Sequence, residues 1–454
     1  CFCCTWSTPT TTTTTTPFME TTTTTTTHHS SLTYDDVASH GPACRPLDFP
    51  APVVVRGVRV NALVVHPASG SRQVCSGVIH REALIGGDIH DDDDDTTTVD
   101  ERTRKMIVVP PQSAYWPQRR LQDAIYGSVW ACLVLERHYG PASLDAARAA
   151  GVEPNSPNAP IVWEITPHHV AIKMVEWSRV HQMRGRLLED PVKEVAAMQL
   201  LGQMTLTKNS PHVLTSMEVL QDGDFLYSVM PYCSGGDLFG VVVQHAEENG
   251  GEGGMTEPVA RYWFRQILMG LHHLQSLGVC HRDLSLENVL VDEQNCVIID
   301  MGMCLRIPYD TGSPDSEIVD VMTGRRRRLM KPQGVCGKHN YMSPEVYNNV
   351  DNFDGFAIDL WAAGVILYIM LTGFPPYDHA SLTDERFKLI IHGQLVQQLN
   401  QWDIFPSADA GNLLQRMLRL HPRDRLTLAQ IMSHPWVTNT NVQGPPRNPP
   451  KFSY

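Results

Sequence analysis

Three side chains that carry oxygen donors lie close together near the middle of the chain. Asp283 and Asn288 are five residues apart, and Asp300 follows a short apolar run. Two carboxylates and an amide are the kind of ligands that hard cations require. Further upstream, Lys173 ends an apolar segment and supplies a compact ammonium group that suits the charge of a phosphate. Such residue types can bind a hard cation and a phosphate group.

Apolar periodicity predicts the elements that would position these groups. Apolar residues recur at helical spacing from Phe264 to Leu274, with Thr256 before the start of this helix and Gly278 as its end. The predicted helix leads directly into the segment with Asp283. Residues 359–371 are almost entirely apolar and predict a second, deeply buried helix.

Another helix is predicted after Lys173. Asp190 is its expected cap and Pro191 its first residue. Glu194 and Met198 then lie on one face of the helix, four residues apart.

Taken in order, these elements resemble the eukaryotic protein kinase catalytic domain over about residues 118–437. Several short motifs carry the resemblance and occur in the order typical of that family. They are Val170-Ala171-Ile172-Lys173, His281-Arg282-Asp283, Asp300-Met301-Gly302 and Ser343-Pro344-Glu345. Residues 361–377, WAAGVILYIMLTGFPPY, are similar to the calcium/calmodulin-dependent-kinase-like group.

The resemblance implies a role for each chemical group. Lys173 would face the α- and β-phosphates of ATP and pair with Glu194. Asp283 would accept or orient the proton of the attacking hydroxyl. Asn288 and Asp300 would hold Mg²⁺.

The same resemblance places the adenine at the segment after Ser228. Met230 falls at the gatekeeper position, the Pro231 carbonyl and the Cys233 N–H would face the adenine edge, and Asp237 would lie near the ribose. The remaining nucleotide contacts are assigned to Gly127, Val129, Ala171 and Leu290. The alternative interpretation of the segment is an ordinary strand-to-helix connection.

Three further residues are implied to support the fold. Glu345 would form a buried ion pair with Arg425, and Asp359 would brace the backbone of the catalytic loop.

The glycine-rich loop departs from the family pattern. Gln122 and Ala124 stand where two glycines belong, so that only Gly127 remains. We expect the approach of the backbone to phosphate to suffer. The distance from Val129 to Lys173 is also long, and residues 140–160 indicate a loop insertion or an artefact of the gene model.

A second departure concerns the lysine that serine/threonine kinases carry two residues after the catalytic aspartate. Ser285 stands there, whereas Lys338 occupies the place of the threonine that normally contacts this lysine. The hypothesis is an exchange in which Lys338 brings its ammonium to the γ-phosphate, with the Ser285 hydroxyl as its partner. The alternative is two unrelated losses.

The segment between Asp300 and Glu345 is long and rich in hydroxyl groups. Its phosphorylation at one of several sites could order it through Arg282, which by resemblance pairs with phosphate. The candidate sites are Thr311, Ser313, Ser316 and Thr323. Residues 325–328 are four arginines, interpreted as a solvated loop; docking of acidic substrates, nuclear import and a contact with residues 91–95 are alternatives.

Composition and charge narrow the class of protein. The chain has 454 residues and a formal net charge of −13, of which the five aspartates of residues 91–95 supply part. We therefore expect no nucleic-acid binding. No apolar run reaches the length of a membrane span, and eleven cysteines without a paired framework favour an intracellular location, cytoplasmic or nuclear.

The predicted fold class is α+β, a bilobal protein kinase fold with a small, mainly β N-lobe (about 118–230) and a larger, mainly α C-lobe (about 231–437). Residues 1–117 are predicted to be low-complexity and largely disordered, although a valine-rich stretch could form a hairpin or dock onto the following domain. Residues 438–454 form a Pro-rich tail.

The predicted function is transfer of the γ-phosphate of Mg-ATP to serine or threonine hydroxyls of protein substrates. Two alternatives stay open. One is a pseudokinase scaffold that binds partners without efficient phosphotransfer, and the other is a small-molecule kinase of related fold. Regulatory partners are not predicted.

Overall fold

The structure is a computed structural model that describes residues 45–86, 107–109, 111–153, 159–205, 212–248, 250, 253–309, 317–319, 326–349 and 351–445. The prediction of disorder covers residues 1–117, and of these, residues 1–44, 87–106 and 110 lie outside the described ranges. The acidic run of residues 91–95 lies outside them as well.

Fifteen strands occur in the described part of the chain, and most of the longer ones lie in its first half. In chain order they are β1 (Val55–Val65), β2 (Arg72–Arg81), β3 (Leu84–Gly86), β4 (Ile107–Val109), β5 (Ser113–Ala124), β6 (Gly127–Arg137), β7 (Val162–Glu176), β8 (Glu218–Gln221), β9 (Phe225–Pro231), β10 (Val279–Cys280), β11 (Val289–Asp292), β12 (Asn295–Ile298), β13 (Leu305–Arg306), β14 (Glu317–Val319) and β15 (Arg326–Arg328).

Seven of these strands form the sheet of the N-lobe and close into a barrel. The strand order is β1-β2-β5-β6-β7-β9-β8. Parallel pairing of Val55 with Leu220 joins β1 to β8 and completes the closure. Alternating apolar residues on β7 and β9, such as Ile172 and Val229, fill the interior.

The valine-rich stretch forms a hairpin and also docks onto the lobe, so the two alternatives that the sequence left open are both realised. Strands β1 and β2 pair with each other from Gly57 to Val65, and Ile79 of β2 pairs with Tyr115 of β5. The predicted domain boundary at residue 118 therefore lies inside β5, and the N-lobe sheet begins at Val55.

Part of the predicted loop insertion is helical. Helix α1 (Pro141–Ala149) begins with a proline and is rich in alanine, which is the best helix former. Its Ala142 packs with Val65 of β1 and Val162 of β7 in a small apolar cluster. The interpretation as a loop is wrong for these nine residues because the packing surface is supplied by the distant N-terminal hairpin.

The other helices are α2 (Trp177–Met183), α3 (Pro191–Thr205), α4 (Leu238–Glu248), α5 (Glu257–Ser276), α6 (Pro344–Asn348), α7 (Gly355–Thr372), α8 (Glu385–Ile391), α9 (Leu395–Gln401), α10 (Ala408–Met417), α11 (Leu428–Met432) and α12 (Pro435–Thr438). Helices α2 and α3 belong to the N-lobe, and those from α4 onward form the C-lobe. The predicted bilobal α+β fold is confirmed.

Helices α5 and α7 form the centre of the C-lobe. Helix α5 starts after Thr256 as predicted, although the threonine side chain makes no capping hydrogen bond, and Gly278 follows its end in the left-handed region. Helix α7 is capped by Asp354, whose side chain accepts a hydrogen bond from the N–H of Phe356. By length and composition α7 could cross a membrane, but 94% of it is buried inside the protein.

The described part of the Pro-rich tail lies along α5 without regular secondary structure. Arg261 and Arg265 of this helix donate to the carbonyls of Asn441 and Asn439, at 2.5 and 2.6 Å. The Gln443 N–H donates to the Pro258 carbonyl at 3.0 Å. Residues 439–445 are thus packed against the C-lobe.

Candidate active site

The segment from His281 to Asn288 is held by the buried helix α7. The Asp359 carboxylate accepts hydrogen bonds from the backbone N–H groups of His281 (2.7 Å) and Arg282 (2.9 Å). Arg282 has a φ of 69°, a strained conformation that these two hydrogen bonds offset. The prediction that Asp359 supports the backbone of the catalytic loop is confirmed.

Asp283 lies next to Asn288, as the spacing of the motif requires. Asn288 Nδ2 donates to the Asp283 carbonyl at 2.7 Å and to its Oδ2 at 3.1 Å. The other carboxylate oxygen, Oδ1, is buried and has no hydrogen-bond partner among the described residues. Burial raises the pKa of Asp283, although His281 and Lys338 act in the opposite direction. Because the backbone of Gly337 lies over Oδ1, this oxygen has to be uncovered before it can accept the proton of a bound hydroxyl.

Asp300 lies near Asp283 and is held by a tight turn. Its backbone is left-handed, with a φ of 68°, and its Oδ1 accepts a hydrogen bond from the Gly302 N–H at 3.2 Å. Met301 is fully buried in the same core cluster as Met198 of α3. Met301, which stands where the family resemblance would place a phenylalanine, therefore packs inward, and Asp300 stays with the catalytic residues.

Lys173 and Glu194 form a buried ion pair between β7 and α3. The distance from Lys173 Nζ to Glu194 Oε2 is 2.6 Å. Asp190 caps α3 by accepting from the N–H groups of Val192 and Lys193, which confirms the predicted start of the helix. Burial raises the pKa of Glu194 to about 6 against the pull of the lysine.

The acidic neighbours of Lys173 raise its pKa. Burial alone would lower it, but the carboxylates of Glu194 and Asp300 outweigh burial and hold the pKa above its ordinary value. The lysine is therefore charged and faces both acidic groups.

Lys338 and Ser285 are hydrogen-bonded to each other close to Asp283. Lys338 Nζ donates to Ser285 Oγ at 2.8 Å and lies 3.3 Å from Glu287 Oε1. Gly337 has a φ of 89°, and a Cβ there would lie 3.1 Å from Asp283 Oδ1. The glycine thus lets the backbone before Lys338 pass close to Asp283. The expected contact is present, while the catalytic role of Lys338 stays a prediction.

The residues assigned to the adenine lie where β7 and β9 run side by side. Ala171 pairs with Met230, and both are buried; Val170 pairs with the exposed Pro231. Cys233 and Asp237 are partly buried in the connection to α4. Asp237 forms an isolated bridge with Leu290 and accepts a hydrogen bond from the Gly240 N–H at 2.8 Å.

Val129 and Gly127 lie on β6, at the turn that corresponds to the glycine-rich loop. Val129 pairs with Lys173, so β6 lies directly beside the part of β7 that carries the lysine. A Cβ at Gly127 would collide with the Met174 carbonyl. The resemblance assigns this glycine to the approach of phosphate, but its close contact with β7 is a second and sufficient reason for a glycine here.

Tyr126 and Glu189 are two residues of the site that the motifs did not reveal. Tyr126 sits at the tip of the β5–β6 turn, is fully buried and donates to the Glu189 carbonyl at 2.9 Å. A Cβ at Gly302 would lie 2.7 Å from Glu189 Cγ, so this side chain contacts the loop of Asp300. An aromatic residue at the tip of a hairpin turn was the available signal for Tyr126.

Arg282 binds the backbone of the segment between Asp300 and Glu345, which we call the activation segment. Its two terminal nitrogens donate to the carbonyls of Met303 (3.5 Å) and Gly334 (3.2 Å). The Gly334 N–H in turn donates to Asn349 Oδ1 at 3.0 Å. The candidate phosphorylation sites Thr311, Ser313, Ser316 and Thr323 lie outside the described residues.

The arginine run is not simply a solvated loop. Arg327 is 8% exposed and forms two hydrogen bonds with the Asp354 carboxylate, at 3.0 and 2.7 Å. Its guanidinium also lies 4.8 Å from the centre of the Phe356 ring. The interpretation is therefore wrong for Arg327, because its partner lies 27 residues away at the start of α7, beyond the reach of local sequence patterns.

Glu345 and Arg425 form the predicted buried ion pair. Their two hydrogen bonds measure 2.6 and 2.7 Å, and the side chains are 2% and 1% exposed. The Arg425 guanidinium stacks 4.7 Å from the centre of the Trp361 ring. This prediction is confirmed.

The donor set fits a magnesium ion that is shared with a nucleotide. The described residues hold no group of three or more His, Cys, Asp or Glu side chains arranged for a metal. Magnesium in phosphate-transfer sites usually has one or two protein carboxylates and takes its other ligands from phosphate and water. Asn288 and Asp300 would hold the ion, which would neutralise phosphate charge.

Comparison with known proteins adds an independent result. The model of the protein kinase domain matches residues 162–437, which is more than half of the chain. The match begins with the first residue of β7, after the altered glycine-rich loop and the insertion with α1. The strands β5 and β6 lie outside this match. They are assigned to the N-lobe by their positions in its sheet.

Curated relatives include plant and yeast protein kinases. Calcium-dependent protein kinase 29 of Arabidopsis thaliana is 32% identical over 269 residues, which cover 59% of this chain and 44% of that protein. CBL-interacting protein kinase 17 of Oryza sativa subsp. japonica is 31% identical over 272 residues, covering 60% and 51%. A probable serine/threonine-protein kinase of Saccharomyces cerevisiae, KCC4, is 29% identical over 279 residues, covering 60% and 23%.

The chain spans about half or less of the length of these relatives. The two plant relatives are a calcium-dependent and a CBL-interacting protein kinase, in agreement with the group that the sequence resembles. The ordered motifs, the buried Lys173–Glu194 pair, the arrangement of Asp283 with Asn288, and the extent of the match lead to one conclusion: this chain is a member of the protein kinase family.

Proposed function

We propose that the chain is an ATP- and magnesium-dependent protein serine/threonine kinase that transfers the γ-phosphate of ATP to serine or threonine hydroxyls of protein substrates. Lys173 would bind the α- and β-phosphates, and Asp283 would take the proton of the attacking hydroxyl. Asn288 and Asp300 would hold magnesium. The names of the relatives favour serine and threonine as acceptors.

The observation that carries this proposal is the position of the Lys338 ammonium. Replacement of the catalytic-loop lysine by Ser285 argues against efficient transfer. The hydrogen bond from Lys338 to Ser285, at 2.8 Å, returns a positive charge to the same wall of the cleft. A cation there can stabilise the charge on the transferred phosphoryl group.

A pseudokinase scaffold is the second candidate function. The observation that favours it is the altered glycine-rich loop, in which Tyr126 is fully buried and hydrogen-bonded to the Glu189 carbonyl. A small-molecule kinase is disfavoured by the intact Glu345–Arg425 pair and by Asp359, which are elements of the lobe that binds protein substrates.

One experiment separates these functions. The full chain and its Asp300→Ala variant are incubated with radiolabelled ATP, magnesium and a generic protein substrate. We expect labelled phosphoserine or phosphothreonine with the unaltered chain and none with the variant. Labelling that persists in the variant would mean contamination. Binding of Mg-ATP, measured as a thermal shift, without transfer would support the scaffold.

We also propose an intracellular location, cytoplasmic or nuclear. It is supported by seven cysteines of the described residues that are free thiols, most of them buried. Fractionation of cells that express the tagged full chain tests this proposal.

A further inference from the structure

Residues 45–54, which we call the brace, run from the C-lobe to the N-lobe across the back of α3. At the C-lobe end, the Leu47 N–H donates to the Arg306 carbonyl at 3.0 Å, and Arg306 Nη1 donates to the Asp48 carbonyl at 2.6 Å. At the other end the chain enters β1, where Val55 pairs with Leu220 of β8. The brace therefore has fixed contacts in both lobes.

Between these ends the brace is bound to α3 itself. Gln199 Oε1 accepts from the Val53 N–H at 2.8 Å, and Gln199 Nε2 donates to the Val53 carbonyl at 2.7 Å. Both polar groups of one backbone residue are thus satisfied by one side chain. Phe49 and Val54 pack against the core cluster that includes Met198 and Leu201 of α3.

The geometry of α3 relates Gln199 to the active site. Five residues separate it from Glu194, which corresponds to about 140° around the helix axis and about 7.5 Å along it. Gln199 therefore lies on the side of the helix nearly opposite to Glu194. The brace contacts the outer side of α3, while the inner side presents Glu194 to Lys173 at 2.6 Å.

The C-lobe contact is also close to the chemistry. Arg306 belongs to β13, which follows the loop of Asp300 and pairs with β10. Strand β10 leads directly into His281 and the catalytic loop. The brace thus connects α3 with the base of the activation segment.

We propose that the brace holds α3 in the position that forms the Lys173–Glu194 pair, and that Gln199 is the positioning residue through which it acts. The segment is part of the same chain, so the orientation of the helix is set by the sequence in front of the kinase strands. An effect on phosphotransfer rests on the proposed function, whereas an effect on the position of α3 does not.

The test uses the full chain with Gln199→Met, which keeps the length of the side chain and removes both hydrogen bonds. Gln244→Met is the matched control, because Gln244 also lies on a helix and, within the described ranges, its amide donates to Glu248, four residues on. A second variant, Val53→Pro, removes the N–H donor from the brace and leaves α3 unchanged.

The first readout is amide hydrogen exchange of α3, which needs no catalysis. We expect faster exchange of residues 191–202 in Gln199→Met and Val53→Pro, and no change in the control. Unchanged exchange in both brace variants would overturn the proposal, whether or not the chain transfers phosphate. If Gln199→Met does not fold, Val53→Pro decides.

The second readout is kcat/KM for ATP. Two lost hydrogen bonds would reduce it by between about threefold and thirtyfold. In a Glu194→Gln background the same change should cost less than about twofold, because the pair through which the brace acts is already lost. An equal loss in both backgrounds would mean general destabilisation and would contradict the positioning role.

Discussion

The ammonium nitrogen of Lys338 lies 2.8 Å from the hydroxyl oxygen of Ser285. The two residues are 53 positions apart and come from the activation segment and the catalytic loop. Each occupies the place where the family resemblance would put the other's residue type. The pair thus retains a lysine and a hydroxyl, with their origins in the chain interchanged.

This relationship predicts the effect of removing the lysine. Lys338→Ala should lower kcat by about 100-fold, because one donor to the transferred group is lost. Restoring the usual order with Ser285→Lys and Lys338→Thr in one variant should recover most of the activity. The measurement is steady-state phosphotransfer with Asp283→Asn as the inactive reference.

The exchange hypothesis has a clear contrary outcome. If Lys338→Ala transfers phosphate like the unaltered chain while Asp283→Asn is inactive, the ammonium does not take part. Ser285 and Lys338 would then be two unrelated changes.

The buried pair of Arg327 and Asp354 predicts a loss of stability on mutation. Arg327→Met leaves a buried carboxylate without its charged partner and should lower the free energy of unfolding by about 3 kcal/mol. Lys388→Met is the control, since its partner Glu385 is 81% exposed and the pair contributes at most about 0.5 kcal/mol. Urea denaturation of both variants measures the difference, and equal midpoints would contradict it.

The same pair predicts how stability depends on pH. Burial favours the neutral acid, but Arg327 outweighs it and lowers the pKa of Asp354 below 3.8. A lowered carboxyl pKa adds stability above the unfolded-state value and loses it as pH falls through the folded-state value. The unaltered chain should therefore lose more stability between pH 5 and the lowest pH at which it folds than Asp354→Asn does, measured by thermal unfolding.

Protonation of Glu194 should set the lower pH limit of activity. The protein should not lose stability through this group at the same pH. Its folded-state pKa is about 6, so the ion pair with Lys173 is lost below that pH and kcat/KM for ATP should fall. The raised pKa means that the folded chain binds the extra proton, and this contribution to stability grows as pH falls from 6 towards 4.5. Activity should thus decline near pH 6 without a decrease in melting temperature from this group.

The Glu194→Gln variant checks the origin of this limit. Burial also raises the pKa of Asp359 to about 6, so a second group titrates in the same range. The variant should be less active and should show a weaker decline below pH 6. A decline of unchanged steepness would assign the limit to Asp359 or to Asp283, whose pKa burial also raises.

Gly127 predicts a steric effect in the N-lobe. Gly127→Ala places a methyl group against the Met174 carbonyl and should lower the free energy of unfolding by about 1 to 3 kcal/mol through separation of β6 from β7. Gly223→Ala is the matched control, because nothing lies within 4 Å of its Cβ position. The control should unfold at or slightly above the midpoint of the unaltered chain.

The catalytic residues could be predicted because each lies in a short motif with fixed local spacing. Asp283 and Asn288 are neighbours on one loop, and Asp190 with Pro191 marks the start of α3 within a few residues. The pairing of Lys338 with Ser285 was also accessible, since both positions are defined relative to such motifs. The alternation of the valine-rich stretch predicted strands, but did not show which sheet they join.

The remaining features depend on contacts between distant parts of the chain. The Arg327 side chain can be buried because Asp354, at the start of α7, pairs with its charge. The backbone of Val53 is hydrogen-bonded because Gln199 lies opposite it. Helix α1 packs on a hairpin that begins some 85 residues earlier. Local composition identifies an arginine run, a proline-rich segment and a surface loop. It does not show whether a distant part of the chain supplies a partner that buries or binds them.

The closure of the N-lobe sheet has a consequence for how other molecules can approach it. An open sheet ends in strands whose backbone N–H and C=O groups can pair with a strand of another chain. Here the parallel pairing of β1 with β8 uses the edge that β8 would otherwise expose. At these pairs a strand of another chain cannot add to β8, because the backbone groups of Leu220 and Gln221 already face β1. A partner that approaches the paired end of β8 therefore has to recognise side chains instead of backbone.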